Sequence, residues 1–275
     1  MTVTIDSFGI TDLGTARGSN DDNFLIVDIR KSVDVRHTSL PPTLLENRFG
    51  AADGHLLVVA DGVGGGPAGD QASKAAITAL LSYVSETVGC FHQYSAAKEH
   101  ELFDRLEDSV RGVHEQLRTD DKQEGGQSPA TTVTMVLLIW PRAYLIHVGD
   151  SRAYVRRRNR VQRLTHDQTL GEYMVGLGAW TEEQAAVSGP AATLSSAIGG
   201  PDLEPVIGLV DLEPGDSIML CTDGLTRYVS DDRIATVLGG SANAETIARQ
   251  LLDEALAGGG RDNITVIVMR SRPTV

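Results

Sequence analysis

Short apolar stretches rich in β-branched residues recur along the chain, and they predict a protein with many strands. Gly, Pro, Asp or Asn bound most of them, and these residues favour turns. Where only a short turn separates two such stretches, we expect the strands to pair antiparallel. The predicted strands cover residues 24–29, 56–60, 132–139, 143–148, 152–157, 217–221 and 264–269.

Four longer stretches carry the three- and four-residue apolar spacing of helices that pack one face on a core. In one of them Leu102, Leu106 and Val110 recur at this spacing. Because the helices come in pairs and do not alternate with single strands, their order favours an α+β fold over a doubly wound sheet. The predicted helices cover residues 71–88, 98–117, 231–238 and 244–256.

The two stretches without clear periodicity do not resemble domain boundaries. Residues 30–55 are of mixed polarity and are expected to form a long loop or insertion. Residues 119–129 are polar and contain glycine and proline, which predicts a flexible connection. We therefore expect residues 1–275 to form a single domain.

The composition is that of a soluble globular protein, with 41% hydrophobic and 22% charged residues. The longest apolar run, 135–140, is far shorter than the ~18 residues that span a bilayer. The first nine residues lack the basic cluster of a signal peptide. Two cysteines, Cys90 and Cys221, are too few for a disulfide framework and are expected to be small buried residues. Together these features predict a cytoplasmic protein.

The net charge of −13 argues against nucleic acid or an anionic membrane as a partner, because both attract basic surfaces. The one basic cluster is expected to be the solvated end of a hairpin. An acidic protein that acts on anions would need cations at its site to reverse the local field. The cluster consists of Arg156, Arg157, Arg158 and Arg160.

Acidic residues stand at the ends of five predicted strands. Each one alone is explained by a turn, as is Asp53-Gly54. If these strand ends converge, however, several carboxylates share one small volume, where they raise one another's pKa or bind cations. The acids are Asp22, next to Asp21, before the first strand, Asp61, Asp150 and Asp223 after later strands, and Asp262 before the last.

The residues around these acids indicate which cation would bind. The available ligands are mainly oxygens, which suit Mg²⁺ or Mn²⁺ and do not suit tetrahedral zinc. His55, His147 and His166 lack metal-ligand spacing and are expected to be structural or to face solvent.

Seven short motifs then resemble, in order, those of metal-dependent type 2C (PPM) serine/threonine protein phosphatases, particularly the bacterial type. The resemblance extends from about residue 12 to residue 269. It implies an αββα sandwich, two antiparallel sheets flanked by helices, with a two-metal site at one edge. The motifs are Arg17-Gly18-Ser19-Asn20-Asp21-Asp22, Asp61-Gly62-Val63-Gly64-Gly65, Ala130-Thr131-Thr132, Gly149-Asp150-Ser151-Arg152, Leu164-Thr165-His166-Asp167, Thr222-Asp223-Gly224-Leu225 and Arg261-Asp262-Asn263.

The resemblance also implies roles for these residues around two Mn²⁺ or Mg²⁺ ions, with a third ion left open. Arg17 would bind the substrate phosphate, and Asp61 would bridge both ions. The remaining metal ligands would be Asp22, the carbonyl of Gly62, Asp223 and Asp262, with Asp150 at the extra site of bacterial-type members. Asp21 and Asn263 would hold these ligands in place without binding the ions directly.

Three positions depart from the family pattern. Asp21 replaces the usual Glu and is one methylene shorter, which puts its water-mediated metal contact in doubt. Val63 stands where animal-type members carry a His that is proposed as general acid. Arg227 stands where some members carry an acid of the third metal site. The identity of the general acid and the occupancy of a third site therefore stay open.

The resemblance implies hydrolysis of phosphoserine and phosphothreonine in proteins, by direct attack of a hydroxide that bridges the two ions. The partners would be phosphorylated proteins, targets of a serine/threonine kinase in signalling, and the enzyme would act as a monomer. Residues 168–190 resemble the variable flap of bacterial-type members and are expected to determine specificity.

Other functions fit the sequence less well. A non-catalytic phosphatase-like module that binds phosphoproteins is the main alternative, but such modules usually lose metal-binding aspartates, which are retained here. Another metal-dependent phosphoester hydrolase is a further alternative. Gly64, Gly66 and Gly69 match a dinucleotide-binding pattern, but Pro67 removes an amide and Asp61 would repel a pyrophosphate.

Overall fold

Two layers of strands lie between two layers of helices in the computed structural model of the chain. It describes residues 3–29, 33–39, 54–64, 66–87, 96–124, 129–158 and 160–273. The strands are β1 (Val3–Asp12), β2 (Asp22–Ile29), β3 (Val33–Thr38), β4 (Gly54–Val63), β5 (Ala130–Thr131), β6 (Val133–Ile139), β7 (Arg142–Val148), β8 (Arg152–Arg157), β9 (Arg160–Arg163), β10 (Val206–Asp211), β11 (Ser217–Cys221) and β12 (Ile264–Pro273). The helices are α1 (Pro67–Thr87), α2 (Ala96–Glu124), α3 (Leu170–Gly176), α4 (Glu182–Val187), α5 (Asp223–Thr226), α6 (Asp231–Leu238) and α7 (Ala244–Ala257), with a 3₁₀ helix at Gly189–Ala192.

The strands form two antiparallel sheets. Sheet A has the order β1-β12-β11-β8-β9, and sheet B has the order β10-β7-β6-β4-β2-β3, with β5 paired to the end of β4. The two strands nearest the chain ends, β1 and β12, pair along their full length. This arrangement confirms the predicted αββα sandwich.

Three apolar cores hold the layers together. Ile77 and Leu106 of α1 and α2 pack on sheet B, and Leu251 of α7 packs on sheet A. Leu57 and Ile267 lie in the third core, between the two sheets. Because both faces of the central strands are covered, all eight residues of β2 are buried.

The acidic strand ends converge because neighbouring strands run in opposite directions. β2 begins where β4 ends, so Asp22 lies directly opposite Asp61 in the register. In sheet A, β11 ends beside the beginning of β12, where the backbone N–H of Thr222 bonds the carbonyl of Thr265 at 3.1 Å. Antiparallel pairing therefore gathers acids that are far apart in sequence at one edge of the sandwich.

Several elements differ from the sequence-based prediction. All seven predicted strands and four predicted helices are present, with α6 and β11 at the predicted bounds. The predicted loop 30–55 contains β3 and the first residues of β4, and its remaining residues, including Asp53, lie outside the described ranges. The connection predicted at 119–129 is wrong in its first part, because α2 continues to Glu124. None of the helices within the described ranges combines the length and apolarity needed to cross a membrane.

Candidate metal centre

A cavity of about 260 Å³ opens where the acidic strand ends converge. Residues from both sheets line it, together with two from the segment that follows the predicted flap. Its walls are polar on the side of the carboxylates and apolar on the side of that segment. The lining residues are Arg17, Asp21, Asp61, Gly62, Val63, Gly64, Thr132, Asp150, Ala192, Leu194, Asp223, Arg227, Asp262 and Asn263.

Asp22 lies behind this cavity and is held by two hydroxyl groups. Its side chain is only 2% exposed, and its Oδ2 accepts hydrogen bonds from Thr222 and Thr265, both at 2.8 Å. Its other oxygen, Oδ1, is buried and has no hydrogen-bond partner among the described residues. The threonines thus orient the carboxylate and leave one oxygen available to a cation.

Two neighbouring threonines fix the backbone of Asp61. The N–H of Thr132 and the hydroxyl of Thr131 donate to the Asp61 carbonyl, both at 2.9 Å. The Thr132 hydroxyl in turn accepts from the Asp61 N–H at 3.1 Å. The next residue must be glycine, since a Cβ on Gly62 would lie 2.3 Å from the carbonyl oxygen of Gly69. Together these contacts hold the end of β4 against the beginning of α1.

Asp223 and Asp262 approach each other through a second close backbone contact. A Cβ on Gly224 would lie 1.9 Å from the carbonyl oxygen of Asn263. Glycine therefore lets the beginning of α5 pack directly on the turn before β12. One oxygen of Asp223, Oδ1, is buried and has no hydrogen-bond partner among the described residues.

The carboxylates raise one another's pKa. Burial, reinforced by the charges of neighbouring aspartates, raises the pKa of Asp22 to about 7 and that of Asp150 to about 8. The same causes raise the pKa of Asp61 well above its usual range, and burial raises that of Asp223 against the opposing charge of Arg227. The protein therefore holds several like charges in a buried place, which a cation would relieve.

Two arginines supply part of the positive charge that the clustered carboxylates need. Arg17 grips Asp262 with both prongs of its guanidinium group, Nε to Oδ1 at 2.6 Å and Nη2 to Oδ2 at 2.9 Å. Arg227 bonds Asp262 at 3.0 Å and also bonds Asp223. Burial acts to raise the pKa of Asp262, but the hydrogen bond and charge of Arg17 hold it below its usual value.

The donor set fits a hard divalent cation. Every candidate ligand is oxygen, and unpartnered buried oxygens of Asp22 and Asp223 remain. Within the described ranges, no three His, Cys, Asp or Glu side chains are grouped as a ready-made metal site. Arg17 forms an ion pair with Asp262, and Arg227 forms ion pairs with both Asp223 and Asp262. A cation that binds here must compete with these arginines.

Asp21 and Asn263 connect the loops around the cavity. The Asp21 carboxylate accepts from the N–H of Gly66 at 2.8 Å and from the Ser19 hydroxyl at 3.0 Å. The side chain of Asn263 accepts from the Asp21 N–H at 2.9 Å and donates to the carbonyls of Leu13 and Ser19. Asn263 thus connects the loop that carries Arg17 to the beginning of β12.

Asp150 lies beside a salt-bridge cluster that holds the base of the predicted flap. The Arg152 guanidinium bonds Asp167 at 2.6 Å, and Arg163 bonds the same carboxylate at 2.5 Å. The side chain of Gln168 accepts from the N–H of Gly149 at 2.7 Å. Two of the motifs found in the sequence therefore bind each other, and their contact fixes where residues 168–190 begin.

The supporting threonines were missed in the sequence. Thr265 also bonds the Thr11 hydroxyl at 2.8 Å, and Thr11 accepts from the side chain of Asn20 at 2.9 Å. Thr222 belongs to one of the family-like motifs, but no role was assigned to it, and Thr265 has the sequence signature of an ordinary β-residue in an apolar strand. The only signal was a polar residue next to an acidic one at a strand end, which is too common to be specific.

His55, His147, His166 and Cys221 are not among the residues that line the cavity. His147 is buried, accepts from or donates to Thr134 and contacts the carbonyl of His166, and burial lowers its pKa to about 4. His55 pairs with Asp28, and His166 is exposed. Burial raises the pKa of the Cys221 thiol to about 12, so it stays neutral. Cys90 lies outside the described residues.

The chain is similar in sequence to known protein phosphatases. A model of the family described as protein phosphatase 2C matches residues 48–257. The serine/threonine protein phosphatase PstP of Mycobacterium tuberculosis is 33% identical over 218 residues, which cover 79% of this chain and 40% of that protein. Protein phosphatase PhpP of Streptococcus pneumoniae is 30% identical over 216 residues, with 78% and 85% covered.

A solved structure extends this likeness to the fold. The catalytic domain of PstP in complex with two manganese ions superposes with a TM-score of 0.74 at 28% identity, over 99% of this chain and all of that one. The chain thus spans about two fifths of the length of the full PstP sequence and the whole length of its catalytic domain.

Proposed function

The chain belongs to the protein phosphatase 2C family, and we propose that it hydrolyses phosphoserine and phosphothreonine in proteins with the help of bound divalent cations. The observation that supports this most directly is the group of mutually repelling carboxylates around one small cavity. Two of them keep a buried oxygen without a hydrogen-bond partner among the described residues. A non-catalytic module would have no use for this costly arrangement.

The residues that would hold two Mn²⁺ or Mg²⁺ ions are Asp61, the carbonyl of Gly62, Asp223 and Asp262, with Asp22 beside them. Bound there, the ions would activate water and neutralise charge on the phosphoryl group. Asp150 is the candidate ligand for any further ion. Its neighbour Arg227 supplies a competing positive charge at that place, which lowers the pKa of Asp150 against the effect of burial.

Arg17 is the residue that we assign to the phosphoryl group. Its bonds to Asp262 use two of the five N–H groups of a guanidinium, so three remain. The side chain is 49% exposed and lines the cavity. Asp262 can therefore orient the guanidinium while its three remaining N–H groups donate to phosphoryl oxygens.

The flap at 168–190 is the segment that we propose for substrate selection. The chain that follows it contributes Ala192 and Leu194 to the wall of the cavity. Tyr173, Leu177 and Val187 of this segment expose 60%, 63% and 86% of their surface. These apolar side chains would contact the polypeptide around a phosphorylated residue. The low number of cysteines suits the reducing cytoplasm. We therefore propose that the substrates are proteins that a serine/threonine kinase phosphorylates there.

Turnover of a phosphopeptide tests the proposed activity. We expect the protein with Mn²⁺ to release inorganic phosphate from a phosphothreonine peptide over many catalytic cycles. A binding module would bind the same peptide and release none. Stoichiometric binding without phosphate release would therefore overturn the proposal in favour of that alternative.

We expect Arg17→Ala to lower kcat/KM for this peptide by about 10- to 150-fold. The substitution removes a charge-assisted contact that contributes roughly 1.5–3 kcal/mol. Arg17→Lys keeps the charge but loses the two-pronged geometry, so its rate should lie in between. Raising the Mn²⁺ concentration should restore neither variant. Recovery of the wild-type rate at high Mn²⁺ would show that Arg17 acts through the metal site.

We expect Arg227→Gln to tighten Mn²⁺ binding by about tenfold, because the guanidinium competes for Asp223 and Asp262. Isothermal titration of the metal-free protein with Mn²⁺ measures this directly. Arg233→Gln is the matched control, since Arg233 pairs with Glu254 on the surface of α6 and α7. An unchanged or weaker affinity in Arg227→Gln would contradict competition.

A further inference from the structure

A row of polar residues crosses the helix-covered face of sheet A at the end opposite to the carboxylates. Arg156 of β8 and Arg270 of β12 both lie directly opposite Ser217 of β11. Met219, two residues along β11, packs in the core beneath α6 and α7, so these three side chains share its face. Ser217 is six residues before Asp223, which places the row about 20 Å from the cavity.

Two buried polar atoms in this row lack a partner among the described residues. The Ser217 side chain is 1% exposed, and its hydroxyl makes no hydrogen bond. Arg156 is partly exposed, but its Nε atom is buried and also has no hydrogen-bond partner among the described residues. Cross-strand neighbours lie about 5 Å apart, so the two atoms can reach a common ligand. Buried donors without partners cost free energy, and native proteins usually satisfy them.

Positive charge exceeds negative charge around this row. Arg270 is half-buried, and burial together with the charges of Arg156 and Arg272 lowers its pKa. Among the described residues, Asp6 is the acidic group that raises the pKa of Arg270 against these effects. Its Oδ2 already accepts from Arg272 at 3.0 Å and from the N–H of Ala244 at 3.1 Å. The positive charge on Arg156 and Arg270 is therefore incompletely balanced, in a protein whose net charge is −13.

We propose that Arg156, Ser217 and Arg270 bind a tetrahedral oxyanion of the size and charge of inorganic phosphate. Such an anion accepts charge-assisted hydrogen bonds from two guanidinium groups and a further bond from the hydroxyl between them. It supplies the missing acceptors and balances the adjacent positive charges in one step. The site is separate from the carboxylates and does not depend on the proposed activity.

Anion-dependent melting of the Mn²⁺-loaded protein tests this site. At constant ionic strength, phosphate or sulfate replaces chloride, and Tm is followed against anion concentration. We expect Tm to rise by about 2–4 °C at roughly five times the dissociation constant. Arg156→Gln and Ser217→Ala should weaken the apparent affinity at least about tenfold. Arg158→Gln is the matched control, because Arg158 is 83% exposed at the tip of the same hairpin.

Amide chemical shifts locate the bound anion. We expect sulfate to shift signals around Ser217 and Arg270 in the wild type and in Arg17→Ala, whose phosphate contact at the cavity is removed. Ser217→Ala keeps the test valid if Arg156→Gln does not fold, since the lost hydroxyl makes no hydrogen bond with any described residue. Equal stabilisation of the wild type and Ser217→Ala, or shifts confined to the surroundings of Arg17, would overturn the proposal.

Discussion

Replacing Asp61 by Asn is expected to lower kcat/KM for a phosphopeptide by at least about a thousandfold. The variant keeps the shape of the side chain but removes the central negative charge of the site. Metal ions stabilise transition-state charge by several kcal/mol, and about 4 kcal/mol corresponds to a thousandfold in rate. Initial rates at saturating Mn²⁺ measure the loss, and titration with Mn²⁺ measures the accompanying loss of affinity.

The same variant should be more stable than the wild type when metal is absent. Burial and four neighbouring aspartates raise the pKa of Asp61, so its charge is unfavourable in the folded protein without a cation. Asn removes this repulsion and should raise Tm in a chelator. Asp253→Asn, at an exposed position of α7, changes the net charge equally and should alter neither property. A metal-free Asp61→Asn protein that melts below the wild type would contradict this account.

Removing divalent metal from the wild type is expected to abolish phosphopeptide hydrolysis, and adding Mn²⁺ should restore it. The described residues that line the cavity offer oxygen ligands and no thiol or imidazole, so a hard cation is the species expected to bind. At a metal concentration about 100 times the dissociation constant, binding stabilises the fold by about 2.7 kcal/mol. Chelation should therefore also lower Tm, by about 5–10 °C.

One variant tests whether the loss of Tm on chelation comes from the metal site. Asp61→Asn should have nearly the same Tm with Mn²⁺ as with chelator, because this variant binds metal weakly even when Mn²⁺ is present. Arg158→Gln, far from the site, should respond like the wild type. Undiminished turnover after exhaustive chelation and dialysis would rule out the two-metal assignment.

The fold was predictable where strands or helices bury most of their residues. β2, β6 and β11 are buried along their whole length and mostly apolar, because both of their faces are covered. β1 was missed, since its ten residues mix polar and apolar side chains on a partly exposed edge strand. α3 and α4 are too short for helical periodicity, and their capping threonines, Thr169 and Thr181, are common in turns as well.

The site was predictable as a list of acids but not as a set of contacts. The position of an acid at the end of a predicted strand can be seen in the sequence alone. This holds for Asp22, Asp61, Asp150, Asp223 and Asp262. The ion pairs of Arg17 and Arg227 with two of these acids depend on side-chain rotamers, which the sequence does not specify. The row on sheet A was equally hidden, because its arginines are more than 100 residues apart in the chain and only the register of β8, β11 and β12 aligns them.

The pairing of β1 with β12 has a consequence for how activity arises during synthesis. Arg17 and Asp22 come from one end of the chain, whereas their partners Asp262 and Thr265 come from the other. Contacts between such distant residues form late, since a large loop must close first. A nascent chain therefore lacks Asp262 and Thr265 until β12 has left the ribosome. The proposed hydrolysis of phosphoproteins would then require the closure of sheet A, and a chain without β12 would not perform it.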